Sequence, residues 1–478
     1  MKINIIKEIL EKQDGGKLSQ YLAALSAGIA LFTAGIHLGW PAPSLRKITS
    51  AEYPFEVTSD EGSYIAIISC VGHVIGGNYS VDTSRYHREK MDDFINCVTS
   101  GGVGEGAILA ILATYIAEMS IPEIRGTLGT FMTTICASGC LFINIIGSYL
   151  DIHTTALICF IFPILQWLIF INFPESPYYL IMKKKNEEAA ASLRIFRRKN
   201  SVEKEIISIT ADVDRQMSES GTYKDLFTIA SNRKAFLLAA TARIFQQFTG
   251  CTAYTVYYQI LIEQSTNLSP VMGSSVLLLV QIAMACLASA FIDKFGRKPL
   301  FVLSSGLCFL VLFTLGTFFL LRDYIGIDLS YIDWFPLPMM MLYIIVFSLG
   351  LGVALNIFVS EIYSTSIKAK AFSLGSIVFA SSMMASTKFY QYTSDNFGMA
   401  VPFYTFSGCS LVGTFFFRFV LPETKGQTLE AIQQRLKGNS KKSCLLRQMA
   451  SGDKKEMFDS NILYKLCLEL KKYNIFLK

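Results

Sequence analysis

The sequence predicts an all-α polytopic membrane protein, and three observations carry that expectation. Of its 478 residues, 52% are hydrophobic and only 17% charged, against about 25% charged in an ordinary soluble domain. The mean hydropathy is +0.41. The apolar runs approach the ~20 residues an α-helix needs to cross a bilayer, and in hydrocarbon a run of that length satisfies its backbone polar groups by coiling into a helix. The net charge of +6 is modest and sits in loops, which suits a membrane face better than nucleic acid. Eleven cysteines, many inside apolar runs (Cys136, Cys140, Cys159, Cys286, Cys308), follow no metal-ligand or disulfide spacing and read as buried thiols. Met1 to Gln20 mixes charges without an early apolar core, so no cleaved signal peptide is expected.

Taken in order, spans are expected near 21–40, 62–79, 100–119, 127–150, 154–173, 235–262, 270–292, 299–321, 336–359, 371–394 and 400–421, eleven by hydropathy. A polar segment, 181–234, divides them into five and six and carries helical patterning over Asn186–Lys199. This gives five regions: an N-terminal segment 1–20, a first helical bundle 21–180, a central loop 181–234, a second bundle 235–421 and a tail 422–478. The central loop, residues 294–298 (KFGRK), 368–370 and the tail from Arg435 on are basic, whereas 41–61 and 322–335 lean acidic. By the positive-inside rule both termini and the central loop are expected in the cytoplasm.

The two halves echo each other. Glu118 is followed by Arg125 as Glu361 is followed by Lys368, at an offset of 243 residues, and Pro-Glu-Ser-Pro at 174–177 is answered by Pro-Glu-Thr-Lys-Gly at 422–426. Matching halves around a shared site are a transporter architecture. The echo is incomplete. Asp293 to Arg297 precedes Glu361 by 68 residues counted from Asp293, whereas the comparable Asp82-Thr-Ser-Arg85 precedes Glu118 by 36 counted from Asp82. About 30 residues, one span and a loop by the length rule, are absent from the first half. Residues 80–93 are too charged to stand in for that third span within lipid.

Within the run from Ala235, the stretch Arg243 to Tyr258 is unusually polar. A side-chain amide in hydrocarbon costs roughly 2–7 kcal/mol unless it is hydrogen-bonded. On a continuous helix Gln246, Thr249 and Ala253 would share one face, and Gln247, Gly250 and Tyr254 the adjacent one. Those faces are expected to look onto other helices or onto a polar ligand in a cavity.

Several motifs together resemble the sugar porters of the major facilitator superfamily, especially those of the insect trehalose and glucose type: GWPAPSL (39–45), YIAEMSIPEIRG (115–126), PESPYYL (174–180), QQFTG (246–250), DKFGRK (293–298), FSLGLG (347–352) and PETKGQTLEAI (422–432). The resemblance implies the major facilitator fold, two six-helix bundles rocking about a central sugar site, and facilitated transport of a hexose or trehalose. It implies that Gln246 and Gln247 hydrogen-bond sugar hydroxyls, with Gln281 at the position of a sugar-binding Asn. Tyr257 and Tyr258 match gating aromatics. Glu118, Arg125, Asp293, Arg297, Glu361 and Lys368 would form charge pairs that latch the bundles and release them. Arg243 and Lys388, near the ends of their spans, read as snorkelling cations, and His37 and His73 as packing histidines. Asn267-Leu-Ser269 is a sequon in a short outer loop.

The sequence departs from the family pattern at ligand positions. Thr252 holds an Asn position, Thr133 a Gln position and Asn356 that of a sugar-stacking Trp, whose flanking prolines are replaced by Val353-Ala-Leu355. Phe379 and Ala380 stand for an Asn-Trp pair, and Tyr178 for the Arg of PESPR. With the missing span, these changes suggest a truncated relative with weak or absent transport. The leading reading remains a uniporter in a lipid bilayer, at the plasma membrane, with no cofactor, metal, catalytic residues or nucleic-acid partner; the sequence sets no oligomeric state. Two alternatives stand beside it. One is a proton symporter, disfavoured because Tyr21–Trp40 contains no acid. The other is a non-transporting sensor that binds partners through its tail at 441–478.

Overall fold

The computed structural model describes residues 18–50, 58–64, 106, 108, 112, 115, 116, 119, 122–170, 173–197, 202–218, 221–364, 367–425, 432, 435 and 436. Among these no strand occurs. The first half contributes α1 (Leu18–Gly39), the short α2 (Pro41–Ile48), α3 (Pro122–Tyr149) and α4 (Ile152–Phe170). A central group follows: α5 (Pro177–Met182), α6 (Asn186–Arg197), α7 (Glu203–Ser218) and α8 (Tyr223–Thr228). The second half holds α9 (Ala230–Gln247), α10 (Cys251–Ser265), α11 (Pro270–Phe295), α12 (Arg297–Phe319), α13 (Pro336–Phe347), α14 (Ala354–Ile362), α15 (Lys368–Phe397) and α16 (Ala400–Phe419). Seven stretches of the described residues are long and apolar enough to cross a membrane.

The expected spans at 21–40, 127–150, 154–173, 270–292, 299–321, 371–394 and 400–421 correspond to α1, α3, α4, α11, α12, α15 and α16. Those at 62–79 and 100–119 fall largely outside the described residues. So do the charged stretch 80–93 and the argument for a lost third span, together with His73, Glu118 and the tail at 441–478.

Packing follows the economy of membrane helices, where small residues let backbones approach. A methyl on Gly139 of α3 would meet the carbonyl oxygen of Phe32 at 2.2 Å. Ala23, Ala27, Leu31 and Leu112 complete a core for the first half. In the second half one core gathers Tyr254, Leu312, Phe319, Tyr343 and Phe403 and takes in Leu45 and Cys140 from the first half. A second is built on Leu300, Phe301, Leu355, Phe358 and Phe417.

Two expected spans are not single helices. The run 235–262 breaks at 248–250 between α9 and α10, and 336–359 is divided by a π turn, Ser348–Gly352, between α13 and α14. The first break rests on Gly250, whose φ is +86°, a left-handed conformation that costs other residues roughly 1–2 kcal/mol. The faces expected on a continuous helix therefore do not persist across QQFTG.

The central segment is more ordered than a loop. It contains the expected helix at Asn186–Arg197 and builds a small core from Leu180, Leu193, Ile209 and Val213. Gln20 donates through Nε2 to the Phe196 carbonyl at 3.1 Å, and Arg197 donates to the Met119 carbonyl at 2.6 Å, which moors α6 to the first half. Thr222 and Asp225 form a capping box at α8. The hydrogen bonds from the Thr222 backbone and side chain hold the Asp225 carboxyl below the ordinary carboxylate range.

The break at Gly250 yields a direct expectation. A Cβ there would lie 2.6 Å from the Phe406 ring in addition to the left-handed penalty. Gly250→Ala should cost about 2 kcal/mol or more, read as a clear fall in the thermal midpoint of the detergent-solubilised chain; an unchanged midpoint would refute the role given to this glycine.

Candidate functional site

The site forms where two broken helices face each other. A π turn leaves a carbonyl out of the regular hydrogen-bond ladder, and Gln246 uses one: its Nε2 donates to the Leu351 carbonyl at 2.6 Å. Ser304 holds the same turn, donating to the Val346 carbonyl at 2.8 Å and accepting from the Leu351 amide at 3.3 Å. On the α9 side, Tyr343 donates to the Thr249 carbonyl at 2.9 Å, and Thr249 donates to the Gln246 carbonyl at 2.7 Å. The polar backbone of each break is thus satisfied by the other's neighbourhood. FSLGLG lacks the family's following prolines and still departs from α geometry.

The second glutamine is partly committed. Gln247 Oε1 accepts from the Thr252 hydroxyl at 2.6 Å and from the Cys251 thiol at 3.4 Å. Its Nε2 meets no acceptor among the described residues. Gln246 and Gln247 are 5% and 2% exposed, so these amides do not face lipid.

Arg243 extends the cluster one turn along α9. Its Nη1 donates to Gln246 Oε1 at 3.0 Å, its Nη2 donates to Asn356 Oδ1 at 2.7 Å, and its guanidinium lies 5.1 Å from the centre of the Phe379 ring. This corrects the snorkelling reading: the side chain ties α9, α14 and α15 together. The open side of α14 carries Asn356, Ser360 and Glu361, a polar face that marks a wet cavity rather than lipid.

Gln246, Gln247, Thr252 and Asn356 are thus brought into one bonded cluster. Gln281, on α11, keeps its carbonyl oxygen buried without a partner. Thr133 is exposed on α3; its neighbour Thr134 meets the Cys286 thiol of the other half at 3.4 Å. Tyr257 stacks on Tyr390 with centroids 5.2 Å apart, and its hydroxyl, like that of Tyr254, is buried without a partner. Tyr258 is buried in the same core. Buried polar atoms in native proteins are nearly always paired with protein or water, so these hydroxyls and this amide oxygen have hydrogen-bonding capacity that no described residue uses.

At the end bearing the DKFGRK loop, charges pair within the second half. Arg297 donates to Glu361 at 2.8 Å, and Thr424 donates to the other Glu361 oxygen at 2.6 Å. Glu423 accepts from the backbone amides of Arg297 and Lys298 at 3.1 and 3.0 Å, a carboxylate at a helix N-terminus. Glu361 therefore meets Arg297 rather than Lys368, which lies 6.0 Å over the Phe372 ring. The side chains of Arg125 and Asp293 lie outside the described residues.

The opposite end carries the charge pairs that join the halves, and the sequence reading missed them. Arg46 of α2 forms a two-pronged pair with Glu263 of α10, at 2.7 and 2.9 Å. Lys388 of α15 pairs with Asp60, donates to Ser63 at 2.7 Å, and sits 4.1 Å from the Tyr64 ring centre; it too does not snorkel. Between this end and the amide cluster runs a polar bridge: Gln259 donates to Asn144 at 3.0 Å, and Asn144 donates to Ser274 at 2.9 Å. Asn267 of the sequon donates to Asp333 at 2.8 Å. No group of metal-ligand type occurs among the described residues.

Comparison with known proteins agrees with the helical fold. A family model described as "Sugar (and other) transporter" matches residues 64–436. The facilitated trehalose transporter Tret1 of Anopheles gambiae is 29% identical over 453 residues, covering 88% of this chain and 56% of its own length. The protein of the same name from Bombyx mori is 27% identical over 449 residues, covering 89% of this chain and 88% of its own. The chain thus spans about half the length of the Anopheles relative and most of the Bombyx one. Among solved structures, the xylose transporter XylE from E. coli in a partially occluded inward open conformation aligns with a TM-score of 0.67 at 18% identity, covering 86% of this chain and 99% of that one. The same proton:xylose symporter bound to 6-bromo-6-deoxy-D-glucose aligns at 0.66 and 19%, covering 87% and 99%.

The joined end is testable without a substrate. Both ion pairs are partly exposed, so each contributes about 0–1 kcal/mol. In a chain retaining Cys251 alone among its cysteines, Glu263→Lys should raise labelling of Cys251 by an impermeant thiol reagent applied from that end several-fold. The swapped pair Arg46→Glu with Glu263→Lys should restore protection. Equal labelling of all three chains would remove the latch.

Proposed function

This chain belongs to the sugar transporter family of the major facilitator superfamily, a family of carriers rather than enzymes, and on that premise we propose that it moves a sugar down its gradient across a lipid bilayer by alternating access. The observation that carries the reading is the pair of buried amides, Gln246 and Gln247, at a broken helix facing the π turn. An amide offers both donor and acceptor, so it can exchange partners with sugar hydroxyls at little net cost.

In this reading Gln247 Nε2 and the orphaned Gln281 Oε1 meet hydroxyls first, with Thr252, Asn356, Gln246 and Thr133 completing the lining. Tyr257 and Tyr258 sit on α10, between the sugar and the joined end, and act as the aromatic gate. The two halves are the two bundles, 21–180 and 235–421, and the central segment and tail lie with both termini on the cytoplasmic side of the plasma membrane, following the basic loops. With the halves joined at the end opposite the basic loops, the arrangement is, in this reading, the inward-facing member of the cycle. Opening the other way breaks the Arg46–Glu263 and Lys388–Asp60 pairs while Glu118, Arg125, Asp293, Arg297, Glu361 and Lys368 gather at the basic end. Two states separated by a few kcal/mol suffice, and the weak outer pairs keep that gap small.

Downhill movement is favoured over proton symport by α1, whose 22 residues contain no Asp or Glu to pick up and release a proton beside the sugar. The names of the trehalose-transporting relatives and the insect-type motifs make trehalose and glucose the first sugars to try. Purified chain in liposomes should take up labelled glucose or trehalose until both sides equalise, with no response to a pH gradient. Gln247→Ala should lower uptake at least tenfold. Accumulation driven by a proton gradient would select symport, and absence of any sugar flux, with a cytosolic protein captured by the 441–478 tail, would select a non-transporting relative.

A further inference from the structure

Arg243 carries chemistry that a neutral sugar does not use. It lies on the side of α9 away from the exposed Leu237 and Ile244, about 100–120° around the helix at 3.6 residues per turn. Its hydrogen-bond acceptors are the neutral amides of Gln246 and Asn356, and no carboxylate pairs with it among the described residues. Lys388, Arg46 and Arg297, by contrast, each meet one. A guanidinium has five N–H donors in a rigid fork. Two are used, which leaves three without an acceptor among the described residues.

A charge inside a bundle is retained only where something compensates it or where it serves a ligand. Asn356, five residues from Glu361 on α14, is exposed and Arg243 partly so, and the two are bonded at 2.7 Å, so a ligand arriving beside Asn356 would meet the guanidinium. The carboxylate of Glu361 does not repel an anion strongly, because Arg297 neutralises it.

We propose that the site takes an acidic sugar, a hexuronate or another sugar bearing one carboxylate, with that carboxylate on the free edge of Arg243 and its hydroxyls on Gln247 and Gln281. The proposal deepens the carrier reading above and rests on it for placing a sugar in this pocket. One cation matches one negative charge, which favours a carboxylate over a phosphate dianion. The planar fork suits a carboxylate edge-on, and Asn356, in place of a stacking aromatic, leaves polar room beside it.

The competing account is mechanical: Arg243 simply bolts α9 to α14. Equilibrium binding of radiolabelled D-glucuronate and D-glucose to the purified full chain separates the two. The expected result is glucuronate binding about tenfold tighter than glucose or better, falling at least tenfold in Arg243→Gln and to an intermediate degree in Arg243→Lys, which keeps the charge but loses the fork. Glucose binding as tight as glucuronate in the unaltered chain overturns the proposal, as does glucuronate affinity unchanged in Arg243→Gln. Should Arg243→Gln fail to elute as a single species, the ratio in the unaltered chain and the Arg243→Lys shift decide. Liposome uptake of the same two sugars keeps the readings apart. Glucuronate that binds but never crosses supports the site and defeats the carrier, whereas glucose that crosses without any glucuronate binding supports the carrier and defeats the site.

Discussion

The hydrogen bond from Gln246 to the Leu351 carbonyl, 2.6 Å long, is the contact on which the rest of the second half depends. Irregular backbone inside a membrane survives only when its freed polar groups are paired or face water. Here two irregular segments, one opened by a left-handed glycine and one by a π turn, satisfy each other. Without the break at 248–250 the Gln246 amide would have no fixed aim, and without the π turn its target carbonyl would be tied into the α13 ladder. The pairing holds α9 against α13 and α14 and fixes where Arg243 points.

That arrangement stiffens the pocket and leaves the joined end soft. The contacts around Gln246 are buried and charge-assisted or backbone-anchored, a class in which losing one partner strands the other at a cost of about 1–3 kcal/mol. Arg46–Glu263 and Lys388–Asp60 are water-accessible and individually weak. The Asn144–Gln259 bridge beneath them is buried, yet polar contacts between membrane helices average only about 0.6 kcal/mol each. The structure therefore concentrates rigidity around the buried amides and places the weaker contacts at the end where the two halves are joined, a distribution that suits the proposed alternation between two faces.

Much of this was legible in the sequence because length and hydropathy suffice to place an unbroken membrane helix: α1, α3, α4, α11, α12, α15 and α16 fall within a few residues of expectation. The breaks were harder. Gly250 was visible as a residue, but a glycine in an apolar run does not announce whether its φ is positive. The π turn has no proline to mark it, only the spacing of Gly350 and Gly352. Among site residues, the bonding of Gln246 and Gln247 to backbone and to Thr252 could not be read, since each depends on a second helix arriving at the right depth. Arg243 and Lys388 were misjudged for one reason. Snorkelling is the default for a cation near a span end, and only the positions of Asn356, Phe379 and Asp60 in space override it. The cross-half pairs at the opposite end were hidden likewise, since Arg46 and Glu263 are 217 residues apart and neither lies in a motif.

The departures from the family pattern make physical sense as a set rather than singly. The resemblance places a stacking indole where this chain has Asn356; losing it removes apolar area against a sugar ring and opens volume beside α14. Arg243 enters that volume, bonds Asn356, and lays its guanidinium on Phe379, itself a substitution in the neighbouring span. A planar cation on an aromatic face gains about 0.5–2 kcal/mol, which offsets part of the burial cost of the charge. Restoring the indole alone would crowd the guanidinium, and removing Arg243 alone would leave the Asn356 oxygen short of a donor in a half-dry site. Asn356, Phe379 and Arg243 are therefore bonded and stacked as one coupled unit, which exchanges apolar stacking for charge and hydrogen bonding.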